Sequence, residues 1–471
     1  MFFWGNLRFV FLLLSIRYDT KYKPKIQMKK ILILGAGKSS IFLIEYLANT
    51  AQSKNREIIV ADLSKEEALK RIKGLPQTRA VAFNSDDQEN REKLIQTADV
   101  VISMLPAFLH PLIAKDCLQY GKHFFSASYE SAEIRKMKTE IEQKELLFLN
   151  ECGLDPGIDH MSAMQIIDRE KKLGNEIFSF KSFTGGLLAP ESEDNPWNYK
   201  FTWNPRNVVI AGQGVSRFIR NGKYKYIPYH MLFRRLEKIS FDGIGEFEGY
   251  PNRDSLSYRK VYGLDNIPTI LRGTLRRSGF CQSWDVFVQL GLTDDSFEMD
   301  LPSDFTQRMF INSFLPYHPE KTVETKIKEL LPWVDENILK KIAWLGLLEN
   351  KPLPKFKGSP ASILQMILEN KWELNPDDKD MIVMQHQFEI KSAGKKKRLT
   401  SSMVSIGENQ NQTAMAKTVG LPLAIAVDLF LEGTIKTKGL MLPIHPEIYN
   451  PLLSELEKQG IKFTEKEELI D

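Results

Sequence analysis

The sequence predicts an α/β fold in which a doubly wound parallel sheet is followed by a second α/β unit and a small helical unit. Three observations predict it. A glycine turn, Gly35-Ala36-Gly37, separates the apolar run Ile31 to Leu34 from a segment whose apolar residues Ile41, Leu43, Ile44 and Leu47 recur at helical spacing. Strand and helix signals then alternate five or six times up to residue 155, as parallel βαβ units do. An acid, Asp62, closes the second strand-like run 25 residues beyond Gly37.

Each element follows from its residues. "ILIL" is a continuous apolar run, as in a central strand covered on both faces. The turn "GAGKSS" leaves unpaired N–H groups where a helix begins, a site where a diphosphate can accept hydrogen bonds. Its position at the first strand–helix turn makes G-x-G-x-x-S the mark of a Rossmann dinucleotide-binding unit, with Gly35, Ala36, Gly37, Lys38 and Ser39 on the phosphates. "REIIVADL" is the second strand, and Asp62 at its end is placed to meet the adenosine ribose. A carboxylate about 4 Å from a 2′-phosphate meets roughly 4 kcal/mol of repulsion per unit charge near a dielectric of 20. That argument favours NAD over NADP, with NADP still possible. "TRAVAFNSDDQ" gives a third strand whose exit, at Asn84 and Ser85, reaches the adenine side. "ADVVISMLP" and "KHFFSASYES" are strands ending at Leu105-Pro106 and at Ala127, Ser128 and Tyr129. "ELLFLNECGLDPG" ends in Leu154, Asp155 and Pro156. In such sheets ligands lie at the carboxyl ends of the strands, so all of these are candidate cofactor contacts.

Composition sets limits. The chain has 471 residues, 42% hydrophobic and 26% charged, with a net charge of +4. Residues 1–27 hold five cations against one anion, which accounts for the whole excess. The body of the chain is therefore neutral and offers neither nucleic acid nor an anionic membrane a basic surface. "FVFLLLSI" is too short to span a bilayer and no small-residue cleavage site follows it. Met28 before a clean strand reads as a start, with 1–27 an upstream extension. Cys117, Cys152 and Cys281 form no disulfide framework, which implies a reducing, cytoplasmic setting. Together with His110 and His160 they fit no zinc spacing, so no metal is expected and these histidines read as polar or capping groups.

Several longer strings carry a resemblance: "NECGLDPGIDHMSAMQIID", "GGLLAPESEDNPWNYKFTWNPR", "EGYPNRDS", "ILRGTLR", "KDMIVMQHQFEI" and "TAMAKTVGLPLAIAVDLFLEGTIKTKGLMLP". From about Lys30 to the C-terminus the chain resembles the glutamate-forming saccharopine dehydrogenases, also called saccharopine reductases. It is similar too to the dehydrogenase half of aminoadipate semialdehyde synthases. The resemblance implies reversible oxidation of saccharopine by NAD(P) and water to L-glutamate and 2-aminoadipate 6-semialdehyde, in lysine metabolism. It implies substrate contacts from Ser128, Tyr129, Asp155, Arg253, Thr274, Leu275 and Arg276. Asp155 and Tyr129 are the catalytic candidates, with Asp155 as an orienting carboxylate first and general base second. Arg272 stays undecided between a surface ion pair and a ligand contact. The chain departs from the family pattern at Phe183 and Thr184, where Tyr and Cys are common, and at Asn204, where a serine near the cofactor is common. Threonine keeps a hydrogen-bonding side chain but removes any role for a thiol.

Domains are expected at 28–155, completed by about 411–450, for the nucleotide; at 156–289 and 373–410 for an α/β substrate-binding and dimerisation domain; and at 290–372 for a small helical domain. "KSAGKKKR" reads as a solvated turn between paired strands, and His386 as structural. The expected partner is the small-molecule substrate, with a homodimer left open. Two other readings remain: a carboxynorspermidine-type synthase, and a catalytically silent NAD-binding sensor. A sensor has no need of Asp155, Tyr129, Arg253 and Arg276 together.

Overall fold

The computed structural model describes Met1 and residues 28–354 and 356–470. From residue 2 on, the expected extension over 1–27 lies outside the described residues. The first strands are β1 (Lys29–Leu34), β2 (Arg56–Asp62), β3 (Thr78–Ala82), β4 (Val100–Ser103), β5 (His123–Ser126) and β6 (Leu147–Leu149). Next come β7 (Glu176–Leu188), β8 (Val215–Arg220), β9 (Lys223–Pro228), β10 (Glu237–Phe241), β11 (Gly245–Pro251) and β12 (Thr269–Arg277). The last are β13 (Met299–Asp300), β14 (Lys357–Gly358), β15 (Asp380–Ser392), β16 (Lys395–Ile406), β17 (Gly439–Met441) and β18 (Phe463–Ile470).

The first sheet runs β17-β6-β5-β4-β1-β2-β3, parallel throughout. Ile31, Leu32, Ile33 and Leu34 are fully buried because helices cover both faces. On one face, helix Ile41–Ala51 packs against helix Ala414–Leu431, whose Gly420 lets the two backbones close up near Ser39 and Leu43. That later helix has 18 residues and is apolar enough to cross a membrane, but 78% of it is buried within the protein. It is a core helix. The strand order reverses between β1 and β4, which opens a crevice at the carboxyl edge.

The second sheet runs β10-β11-β12-β7-β15-β16-β18, with β8 and β9 added beside β12. Its period-two alternation decides the layers. Phe183, Leu271, Leu275 and Val383 lie on one face and join an apolar cluster. Ser182, Thr184, Arg272, Thr274 and Arg276 occupy alternate positions, on the other face. Asp380 at the start of β15 ties the sheets together, since its carboxylate accepts from the Ala414 and Met415 amides that begin the core helix.

One expectation is corrected here. The lysine-rich run is not a turn. Ala393 and Gly394 alone make it, with φ of 49° and 80°, and Lys395 to Arg398 continue as strand β16. Their charges are met across the sheet, Lys397 by Glu467 and Glu170, Arg398 by Glu389 and Glu468. Those partners lie on other elements, so a local charge pattern could not show them.

Candidate functional site

The crevice is built from strand ends. Gly35 has φ of +104°, and a Cβ there would lie 2.9 Å from the Met104 carbonyl oxygen, so only glycine lets β1 turn against β4. A Cβ on Gly37 would meet nothing within 4 Å. That open space lies beside the turn into the short helix Lys38–Ser40, where the Ser40 amide donates to the Gly37 carbonyl at 3.0 Å and the Lys38 and Ser39 amides are the ones left for a dinucleotide diphosphate, so the residues present fit that group. Asp62 accepts from the Ala36 amide at 2.7 Å and from the Ser64 amide at 3.0 Å. Arg71, in the helix Lys65–Ile72, donates Nε to the Ala36 carbonyl at 3.1 Å and has no carboxylate partner among the described residues. Asn84, Ser85, Leu105, Pro106 and Ala127 follow β3, β4 and β5 and so stand along the same carboxyl edge.

The loop 150–160 is closed on itself. The Gly153 amide donates to the Pro156 carbonyl at 3.0 Å and the Ile158 amide to the Gly153 carbonyl at 2.8 Å. Gly157 has φ of +147°, and a Cβ there would fall 2.1 Å from the Gly153 oxygen. The Asp155-Pro156 bond is cis, and buried Glu151 holds φ of 57°. This folding presents the Asp155 side chain, 17% exposed, to the crevice. Behind it, Nη2 of buried Arg272 reaches Asp155 Oδ1 and Asp159 Oδ2, both at 2.6 Å. The guanidinium also lies 4.1 Å from the Tyr258 ring centroid. Asp159 is further held by the Gly157 amide at 2.7 Å. Burial raises Asp155 above the usual carboxylate range and Asp159 adds to this, with Arg272 opposing. For Asp159, burial is outweighed by His160, Arg272 and the Gly157 amide, and its carboxyl lies low. His160 joins Glu151 at 2.8 Å and the Tyr262 hydroxyl at 2.6 Å.

Tyr129 stands over this group, its hydroxyl 3.5 Å from Asp155 Oδ1. The neighbouring Ser128 hydroxyl meets His110 Nε2 at 2.8 Å, and His110 Nδ1 meets the Ser103 hydroxyl at 2.8 Å. Burial pushes His110 down to about 4, so the imidazole is neutral and accepts one of these two bonds.

Further along β12, Arg276 is buried, and no carboxylate pairs with it among the described residues. Its guanidinium lies 5.2 Å from the Tyr199 ring and 5.3 Å from the Phe280 ring, with the Tyr250 hydroxyl as its polar neighbour. Glu248 is its cross-strand partner, but that carboxylate accepts from the Gly279 and Cys281 amides instead. The Arg276 Nε, the Tyr199 hydroxyl and the Thr184 hydroxyl are buried without regular hydrogen-bond partners. Thr274 sits between the two arginines and opposite Thr184, while Leu275 turns to the far face. Arg253, just beyond β11, is exposed, and the side chain of Asn204 caps the helix Pro205–Val209.

Thus Asp155, Tyr129, Ser128 and the glycine turn stand at the crevice, Thr274 and Arg276 share one strand face with Arg272, and Arg253 lies at the surface. The sequence leaves Arg272 undecided, reads His110 and His160 as polar or capping groups, and does not single out Asp159 or Glu151 as candidates. For Arg272 a signal existed: in "LRGTLR" the strand period places it on the face of Thr274 and Arg276.

A parallel sheet with a glycine turn at its switch point, joined to a second sheet that carries a buried carboxylate partner and an unpaired buried guanidinium, is the arrangement expected of a dinucleotide-dependent oxidoreductase. Comparison sharpens the class. Residues 31–149 match the saccharopine dehydrogenase NADP binding domain and residues 153–461 the saccharopine dehydrogenase C-terminal domain. The saccharopine dehydrogenase [NADP(+), L-glutamate-forming] of Saccharomyces cerevisiae is 33% identical over 450 residues, 93% of this chain and 99% of that one. The Schizosaccharomyces pombe enzyme of the same name is 31% identical, covering 94% and 100%. The mitochondrial alpha-aminoadipic semialdehyde synthase of Rattus norvegicus is 35% identical, and the chain spans about half, 47%, of its length. The solved apo saccharopine dehydrogenase (L-Glu forming) from Saccharomyces cerevisiae superposes with a TM-score of 0.84 at 31% identity, covering 93% of this chain and 100% of that one. The chain belongs to the saccharopine dehydrogenase family. The preference for NAD drawn from Asp62 is at odds with the NADP(+) in the names of these relatives.

Proposed function

We propose that the chain oxidises saccharopine to L-glutamate and 2-aminoadipate 6-semialdehyde, with NADP(+) as the hydride acceptor. One observation carries the reading: Arg276 is a buried guanidinium with no carboxylate of its own among the described residues. A buried cation left unpaired is costly, and a substrate carboxylate is the group that relieves it. Names and coverage of the fungal relatives support the same substrate.

When bound, the dinucleotide supplies the acceptor for the hydride lost from the lysine ε-carbon. The chain's own residues do the rest. Arg276 grips one carboxylate, and Arg253 at the crevice rim takes a second once substrate is present. Thr274 and the backbone at Leu275 hold the substrate chain along β12. Asp155, raised by burial, accepts the proton that the secondary ammonium must lose before its neighbouring C–H bond can break. Asp155 gives that proton up to solvent, and the regenerated carboxylate then takes one from the water that adds to the substrate imine and returns it to the departing glutamate nitrogen. Tyr129 orients Asp155, and Ser128, fixed by neutral His110, faces the substrate and cofactor.

For the cofactor, two features support NADP(+). Asp62 already accepts two backbone amides, and Arg71 beside the glycine turn is a cation on hand for a 2′-phosphate. The experiment is direct: purified protein is mixed with saccharopine and NADP(+), then NAD, and reduced nicotinamide is followed by absorbance. A saccharopine-dependent signal is expected, larger with NADP(+). No signal with either cofactor removes the reading.

A further inference from the structure

Asp155 has a neighbour that the reaction scheme leaves without a task. Arg272 is fully enclosed, and a single nitrogen of it is shared by two carboxylates at the same distance of 2.6 Å. The two acceptors are not equivalent. Asp159 lies in helix Ile158–Lys172 with a backbone amide on its other oxygen, so it is anchored without Arg272. Asp155 sits in the loop; its Oδ1 takes both Arg272 and the Tyr129 hydroxyl, and the Thr184 hydroxyl stands beside the carboxylate. Oδ2 carries neither. A clamp on one oxygen from behind leaves the other to the crevice.

We propose that Arg272 is a positioning residue for the oxidation assigned above: shared between Asp155 and Asp159, it turns the Asp155 carboxylate toward the substrate nitrogen and sets how readily that carboxylate takes a proton. The proposal rests on the saccharopine reading. Each element packed on Asp155 contributes a charge or dipole. From β12 comes the Arg272 cation, and from the helix come Asp159 and His160. The loop after β5 offers the Tyr129 hydroxyl, β7 the Thr184 hydroxyl, and the stacked segment 258–262 the rings of Tyr258 and Tyr262. Glu151 stands one bond further off, behind His160. Among these, Arg272 and Asp159 are the two whole charges in direct competition. The cation stabilises ionised Asp155, and the neighbouring anion opposes it and divides the cation's attention.

Opposite perturbations follow from adjacent partners, and that separates positioning from plain structural support. Arg272→Met removes the cation, so Asp155 becomes harder to ionise. The acidic limb of the kcat/KM profile for saccharopine oxidation moves up by about one to three pH units. Asp159→Asn keeps an acceptor for the Gly157 amide but leaves Arg272 to Asp155 alone, so the limb moves down. Arg272→Lys keeps charge without a planar fork. It restores most of the limb position while kcat remains at least about tenfold low, since the carboxylate is no longer aimed. Thermal melts check folding. Where Arg272→Met does not fold, Asp159→Asn and Arg272→Lys decide the question.

Limbs that move apart in Arg272→Met and Asp159→Asn, with the lysine variant between them, support the assignment. Limbs that move together, or stay where the wild type has them, overturn it, because loss of packing has no sign. A wild-type protein that never oxidises saccharopine overturns the functional reading instead, so the two failures are told apart by the wild-type control.

Discussion

Replacing Arg276 with methionine separates a ligand-binding arginine from a structural one. The side chain is buried, stacked near Tyr199 and Phe280, and has no carboxylate partner among the described residues. Methionine fills a similar volume without charge. In the free protein it abandons two cation–π contacts, about 0.5–1 kcal/mol each. It also relieves an uncompensated buried cation, whose penalty is several kcal/mol even after relaxation. The balance predicts a free protein at least as stable as the wild type, with Tm unchanged or a few degrees higher. In the complex the sign reverses. A charged hydrogen bond to a substrate carboxylate is worth about 1.5–3 kcal/mol, and its loss should lower kcat/KM by about 10- to 160-fold. Ligand-dependent stabilisation reports the same contact without turnover. Saccharopine at about a hundred times Kd adds roughly 2.7 kcal/mol to the wild type, and this gain should vanish in the variant. Parallel melts with and without saccharopine, beside initial rates, make the assay. A variant that melts well below the wild type yet keeps its kcat/KM would refute the reasoning and make Arg276 a packing residue.

Three further outcomes follow from the geometry. Arg71→Ala should lower kcat/KM with NADP(+) by about 10- to 100-fold and leave the value with NAD nearly unchanged; an equal loss with both would mean that Arg71 only braces the glycine turn. Gly157→Ala should cost at least about 3 kcal/mol and abolish turnover, because its Cβ would fall 2.1 Å from the Gly153 oxygen at a φ of +147°; an alanine protein of wild-type stability would contradict this backbone geometry. Burial raises Asp380 from 3.8 to about 6, so its contribution to stability is full below pH 4 and is lost as pH rises through 6. Asp380→Asn lacks that dependence and should gain on the wild type by up to about 3 kcal/mol between pH 4 and pH 7, read from denaturant midpoints; a difference constant with pH would remove the argument.

The nucleotide half was legible because its signals are local. Ile31 to Leu34, the glycine turn and the following amphipathic helix are neighbours in sequence, and each strand end is marked by its own short motif. The site on the second domain was legible only where a resemblance carried it. Arg276 is marked by "RGTLR", but its isolation comes from Glu248 turning away to cap a helix, which no spacing predicts. Arg272 and Asp159 are 113 residues apart and meet only because β12 lies beside helix Ile158–Lys172. His110 and His160 read as polar or capping groups, and the first of these is what they are, though neither is a helix cap. Burial instead makes one a neutral brace for Ser128 and joins the other to Glu151 and Tyr262. The lysine run shows the same limit from the other side, since the carboxylates that absorb it come from β15, β18 and helix Ile158–Lys172.

Charge is distributed unevenly along β12, and the distribution fits one kind of ligand. Around Arg272 stand Asp155, Asp159 and, through His160, Glu151, so carboxylates outnumber the cations that face them. Around Arg276 there is no carboxylate pair at all among the described residues. Arg276 lies four positions beyond Arg272, about 13 Å of backbone on a single face. A substrate that presents an amine at the first end and a carboxylate at the second relieves both imbalances at once, and a short amino acid is too small to bridge them. An elongated amino acid whose secondary nitrogen lies well away from one of its carboxylates meets both ends. The saccharopine proposed above is a substrate of that shape, unlike a simple amine or a simple hydroxy acid.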